Sequence, residues 1–221
     1  MEFTIMGGFG ESGRNCFLLE MEREEENRAK ILVDCGIMEG KSRCMPAISP
    51  EMTASLDCVL LTHSHKDHTG ALEQLVRDGL TVPVCCTGET WRQIDTEYEK
   101  NVIFEEETRT FLPLPGITVT WGRSGHCSGS VWFHISNGKE AAFFSGDYQE
   151  NSAVYAADPV RNLSAGLAVV EAAFGEEGIS AEEKRTAVMD YIKKRLSKGH
   201  SVLLPVPRYG RGLELFYLIN Q

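Results

Sequence analysis

The stretch LTHSHKDHTG, residues 61–70, sets His63, His65, Asp67 and His68 within six positions and so spends half of the chain's six histidines on one short segment. The run before it, LDCVLL (residues 56–61), is apolar apart from Asp57 and of buried-strand length. The run after it, HTGALEQLVRDG, places Ala71, Leu72, Leu75 and Val76 at helical spacing and stops at Gly79. The four polar residues therefore sit where a buried strand turns into a helix, at one edge of a sheet. On an extended segment, positions two apart face the same way, so His63 and His65 can point at one metal ion. Asp67 and His68 lie beyond the turn and can face a second. Neutral imidazole and carboxylate suit zinc, and also manganese or iron.

Two ligands per ion are too few. A catalytic zinc takes about three protein ligands and keeps one position open for water. The ends of other strands must supply the rest. SGHCSGS offers His126 after the expected strand GITVTWGR, and FFSGD offers Asp147 at the end of a hairpin strand. Both lie in turns of small residues, where backbone can approach an ion. Asp34 in LVDCG repeats the pattern and reads as an acceptor that orients a ligating imidazole. His134, within the strand VWFHIS, and His200, before a strand, are assigned no role.

Outward from this centre, MEFTIMG, CFLLEME and AKILVDCG read as strands, with GGFGESGRN as a glycine-rich turn and REEENR as a solvated hairpin tip. GGFGESG lacks the Lys-Ser/Thr ending of a phosphate loop and precedes a strand, which favours a tight turn. Residues 37–53 have loop composition. TVPVCC is a strand, and TGETWRQIDTEYEK a helix opened by Thr87. VIFEE, TRTFLP, GITVTWGR and SVWFHIS are short strands, and the last begins a hairpin centred on Asn137-Gly138. GLAVVEAAFG is a strand running into a loop. SAEEKRTAVMDYIKKRLSKG is an amphipathic helix capped by Ser180, and its Lys193, Lys194, Arg195 and Lys198 complement the helix end. HSVLLPVP reads as a strand, and GRGLELFYLINQ as a helix still apolar where the chain stops, which suggests the amino-terminal portion of a longer protein. Strands covered by helices make an α/β (α+β) architecture.

With 221 residues, 42% of them apolar, the chain can bury a sizeable core. A net charge of −10 argues against a sequence-wide nucleic-acid surface, but not against a metal as the positive element. Seven cysteines without a CxxC spacing read as buried thiols in a reducing compartment. With no signal-peptide pattern and no membrane-length apolar run, a soluble cytoplasmic protein is expected.

These residues resemble the metallo-β-lactamase superfamily, whose HxHxDH motif matches His63, His65, Asp67 and His68, and whose later motifs match His126 and Asp147, with Asp34 at its early aspartate. The chain looks most like the β-CASP nucleases of RNA and DNA metabolism, through GGFGESGRNCFLLE, GHCSGS, VVEAAFG and SVLLPVPRYGRGLELFYLI. The resemblance implies an αββα sandwich over residues 1–205, with residues 206–221 beginning a β-CASP domain. It also implies two Zn2+ ions: His63, His65 and His126 on the first, Asp67 and His68 on the second, and Asp147 bridging. The family's later histidines have no counterpart here, so the second site lacks a ligand. Asp67 is either ligand or water-orienting group, Glu171 helps position the reacting network, and Arg208 and Arg211 are candidates for phosphate contact.

The implied activity is hydrolysis of single-stranded RNA by a metal-activated hydroxide. Two other readings stay open, a hydrolase of small esters or thioesters and a metal-binding module without turnover.

Overall fold

The computed structural model describes residues 1–23, 27–40, 44–104, 107–173 and 175–220. The tip of REEENR (24–26), the end of VIFEE (105–106), Phe174 of VVEAAFG and Gln221 lie outside the described residues. Two sheets form, of six and five strands. In the first, β1 (Glu2–Gly7), β2 (Cys16–Glu22) and β3 (Arg28–Val33) pair antiparallel. Then β4 (Cys58–Leu60), β5 (Val84–Cys86) and β6 (Asn101–Ile103) continue in parallel. In the second, β7 (Thr110–Leu114), β8 (Ile117–Arg123), β9 (Val131–Ser136) and β10 (Ala141–Phe144) form an antiparallel meander, and β11 (Leu167–Val169) adds in parallel to β10.

Alternation along the strands builds two cores. Phe17, Leu19, Val33 and Leu60 face Val119, Trp121, Phe133 and Phe144 between the sheets. Leu18, Leu32, Val59 and Leu61 point the other way, under α1 (Pro50–Ala54), α3 (Leu72–Arg77) and α4 (Gly88–Gln93), which contribute Met52, Leu72, Leu75 and Trp91. Being buried on both faces, β4 reads as an unbroken apolar run. On the outer face of the second sheet, Trp132 Nε1 donates to Asp158 O at 2.9 Å, and His134 Nε2 lies 3.0 Å from Ser164 O. His134 is thus a structural contact, and exposed His200 also stands apart from the site.

Six cysteines are buried, Cys44 is partly so, and all seven are free thiols. Burial pushes the thiols of Cys85 and Cys127 up to about 12. Among the described residues, no helix is long and apolar enough to cross a membrane.

Several elements differ from the sequence reading. Residues 50–53, expected as loop, fall within α1 (Pro50–Ala54), with Ser49 as cap and Pro50 in the first turn. The helix expected after His68 splits at Gly70 into α2 (Lys66–Thr69) and α3. Thr87 caps α4 as expected, but Ile94 turns extended and the helix ends there. The Asn137-Gly138 hairpin closes through four residues, 137–140, with Asn137 Oδ1 accepting from Lys139 N and Glu140 N. HSVLLPVP forms no strand. Pro205 and Pro207 cannot donate to a ladder, and Leu203 is 91% exposed rather than packed on a sheet. The helices α5 (Ala181–Leu196), with its Ser180–Glu183 capping box, and α6 (Arg211–Ile219) form as expected.

Candidate metal centre

Five strands end at one rim of the sandwich. β3 delivers Asp34, β4 delivers Thr62–His68, β8 delivers His126, β10 delivers Asp147 and β11 delivers Glu171. The sheets are tied there by Val131 N donating to Thr62 O at 2.9 Å.

His63, His65, His126 and Asp147 each offer a ligand atom, all within 4.8 Å of one another. His65 Nδ1 lies 3.1 Å from both His63 Nε2 and His126 Nε2. Asp147 Oδ2 is 3.2 Å from His126 Nε2 and 3.7 Å from His63 Nε2. An ion with bonds of about 2.0–2.1 Å sets neighbouring donor atoms about 3.0–3.4 Å apart, so this spacing fits a coordination shell. Asp147 reaches the other way through Oδ1, 3.2 Å from His68 Nε2, and Asp67 Oδ2 is 3.7 Å from the same nitrogen. One carboxylate therefore straddles two clusters.

The far side of each ring fixes which nitrogen faces inward. His68 Nδ1 is 2.7 Å from Asp34 Oδ2, so it donates there and turns Nε2 towards the cluster. Asp34, 2% exposed, also accepts from Thr62 N and Thr62 Oγ1, each at 2.8 Å. Because the Thr62 hydroxyl donates to Asp34, it accepts from His63 Nδ1 at 3.1 Å and aims His63 Nε2 inward. His65 Nε2 donates to Tyr209 O at 3.1 Å, leaving Nδ1 for the cluster. The loop before α6 is brought there by Gly210, at φ 96° and ψ −116°. These outward bonds hold ligand orientation.

Burial holds His63 well below the usual imidazole range, and holds His126 down to about 4 against the opposing pull of Asp147. Both are neutral at pH 7, as a ligand must be. His68 is raised despite its burial, by Asp34 and Asp147. Asp147 is held far below the carboxylate range: burial opposes this, but the His68 hydrogen bond and the surrounding imidazoles outweigh it. Glu171 is half-buried and raised, first by burial and then by Asp147. It lines a cavity of about 640 Å³ together with Asp67, His68 and Asp147.

His63, His65, Asp67, His68, His126, Asp147 and Asp34 thus converge, and Glu171 stands beside them. Arg211, the first residue of α6, is close enough for its charge to act on His126 and Glu171. Arg208 instead lies over the Tyr209 ring at 5.2 Å and is exposed. Sequence reasoning missed Asn15, whose Nδ2 donates to Asp67 O at 3.2 Å and lies 3.0 Å from His68 Nε2. It also missed Thr62 and the Tyr209 carbonyl. Asn15 follows the glycine-rich turn, but no local signal ties that turn to residue 68.

The family model described as the beta-lactamase superfamily domain matches residues 29–176. Transcription termination factor FttA of Cenarchaeum symbiosum is 29% identical over 255 residues, covering 100% of this chain and 39% of that protein. Ribonuclease TTHA0252 of Thermus thermophilus is 26% identical over 214 residues, covering 86% of this chain and 49% of that protein. Endoribonuclease YSH1 of Gibberella zeae is 22% identical over 252 residues, covering 99% of this chain and 30% of that protein. The chain spans less than half the length of each of these relatives. A protein of unknown function from Enterococcus faecalis V583 shares the fold, with a TM-score of 0.58 and 12% identity over 87% of this chain and 57% of that one. The chain belongs to the metallo-β-lactamase superfamily, and its curated relatives are of the β-CASP branch.

Proposed function

We propose that this chain carries the metal-binding part of a ribonuclease that hydrolyses phosphodiesters of single-stranded RNA in the cytoplasm, with residues 1–205 as the metallo-β-lactamase portion and 206–221 as the start of a β-CASP domain. The observation that carries this reading is the straddling carboxylate: Asp147 has one oxygen 3.2 Å from His126 and the other 3.2 Å from His68. The donor set suits two zinc ions, held by His63, His65, His126 and Asp147 on one side and by Asp67, His68 and Asp147 on the other. Such a pair supplies a hydroxide near neutral pH and neutralises phosphate oxygens. Asp34, Thr62 and Tyr209 O hold the imidazoles in the required tautomers. Asp67 ligates or orients the water. Glu171, raised by burial and by the neighbouring Asp147, helps position the network around Asp147. Arg211 is a candidate for phosphate contact, and so is exposed Arg208 from its place over the Tyr209 ring.

A second reading, a metal-binding module without turnover, draws on Asn15, whose amide lies at the His68 nitrogen that a second ion would use. Side-by-side assay of a fluorescent RNA, a bis-phosphodiester and a thioester, with metal content measured on the same sample, separates the readings. RNA cleavage is expected. Turnover of the thioester alone overturns the proposal, and bound metal without any turnover favours the module.

A further inference from the structure

We propose that Phe9 is a stacking platform for a nucleobase of the substrate, next to the phosphate that reaches the metal centre; this rests on the RNA reading above. Phe9 is 79% exposed and belongs to neither hydrophobic core. It stands on the turn between β1 and β2, between Gly8 at φ 90° and Gly10 at φ 66°, a left-handed path that glycine adopts without strain. The turn is braced. Glu11 Oε1 accepts from Gly8 N at 3.1 Å and from Arg14 Nε at 2.6 Å, and Arg14 also donates to Met45 O at 3.3 Å. The ring is therefore held out on a tethered loop, so little ordering cost remains for a ligand that meets it.

The ring lines the same cavity of about 640 Å³ that contains Asp67, His68, Asp147 and Glu171. Val170, 63% exposed, lines it too, on the segment after β11. Two exposed apolar side chains from separate loops thus border a cleft lined by carboxylates and by His68. Among the described lining residues there is no lysine or arginine, and the chain carries −10 overall. The lining itself offers a phosphate chain no lysine or arginine, and Arg211 acts on Glu171 from outside that lining. An aromatic face can supply affinity, because every base has a π-face and stacking needs no particular sequence. Affinity from stacking also survives salt that would screen phosphate contacts.

The test uses metal-loaded protein, an oligouridine octamer and an abasic ribose-phosphate chain of equal length, read by stopped flow before turnover. Phe9→Trp should show fluorescence quenching with the octamer and none with the abasic chain. Phe9→Ala should keep the wild-type melting temperature and metal content yet bind the octamer about five- to tenfold more weakly, near the lower end of one stacked base. That ratio should persist at high salt. Equal quenching by both chains, or octamer binding unchanged in Phe9→Ala, overturns the inference and leaves the RNA reading intact. A wild-type protein that ignores the octamer overturns both.

Discussion

Gly36→Ala tests how the metal turn is held. Segment 35–37 is zipped to the turn: Cys35 N donates to His68 O at 2.8 Å and Ile37 N to Lys66 O at 2.9 Å. Between those bonds, a Cβ on Gly36 would fall 1.6 Å from Asp67 O and 2.8 Å from His68 N. Restoring an ordinary 3.4 Å contact takes about 1.8 Å of movement, and the obstacle is backbone that cannot rotate away. Overpacking of this kind costs about 1–3 kcal/mol. Loss of the two flanking bonds adds about 0.5–1.5 kcal/mol each. The sum, roughly 4 kcal/mol, corresponds to a fall in Tm of roughly 8 to 16 °C for a chain of this size. Metal sites tolerate about 0.2 Å, so Asp67 and His68 should lose their ion. Thermal melts and chelator competition check both effects. Gly178→Ala, where nothing lies within 4 Å, is the control. A Gly36→Ala protein with wild-type melting and metal affinity would refute the claim that close packing of β3's end against the 65–68 turn shapes the site.

Asp34→Asn should lower affinity for metal about 10- to 100-fold, because the amide puts a donor where Thr62 and His68 donate; competition with a chromophoric chelator reads this. Gly210→Ala forces a side chain into φ 96° with its Cβ 3.3 Å from His126 O, a strain of about 1–3 kcal/mol; it should release the Tyr209 carbonyl from His65 and weaken the first site. Equal occupancy in elemental analysis at limiting zinc would contradict that. Metal-free protein should be most stable near pH 6.5. Below it, the unfolded chain takes up protons that buried His63 and His126 refuse, and His126, at about 4, alone costs about 3 kcal/mol by pH 4. Above it, the unfolded chain releases a proton that the folded His68 still holds, and the stability that proton brought is lost as pH rises towards the raised pKa. Urea unfolding across pH 5–8 checks the sign, and stability rising steadily through pH 8 would contradict it.

What the sequence determined by itself was local. His63 to His68 lie on one strand-to-helix turn, so their spacing alone marks them as candidate ligands. Ser180 with Glu183, Thr87 and the apolar run of β4 likewise carry their signals within a few residues. His126, Asp147 and Asp34 were legible because each follows a strand, and strand ends share a rim. Ser49-Pro50 was a readable helix start that loop composition around it obscured. HSVLLPVP had the apolar content of a strand, but a strand exists only where a sheet edge accepts it. Only the tertiary structure decided that the two oxygens of Asp147 face different histidines, that Thr62 and Asp34 set tautomers, and that Asn15 and Tyr209 O reach residues 68 and 65. Those contacts join residues up to 144 positions apart. Their distances follow from sheet register and from how closely backbones approach, which no short window of sequence encodes.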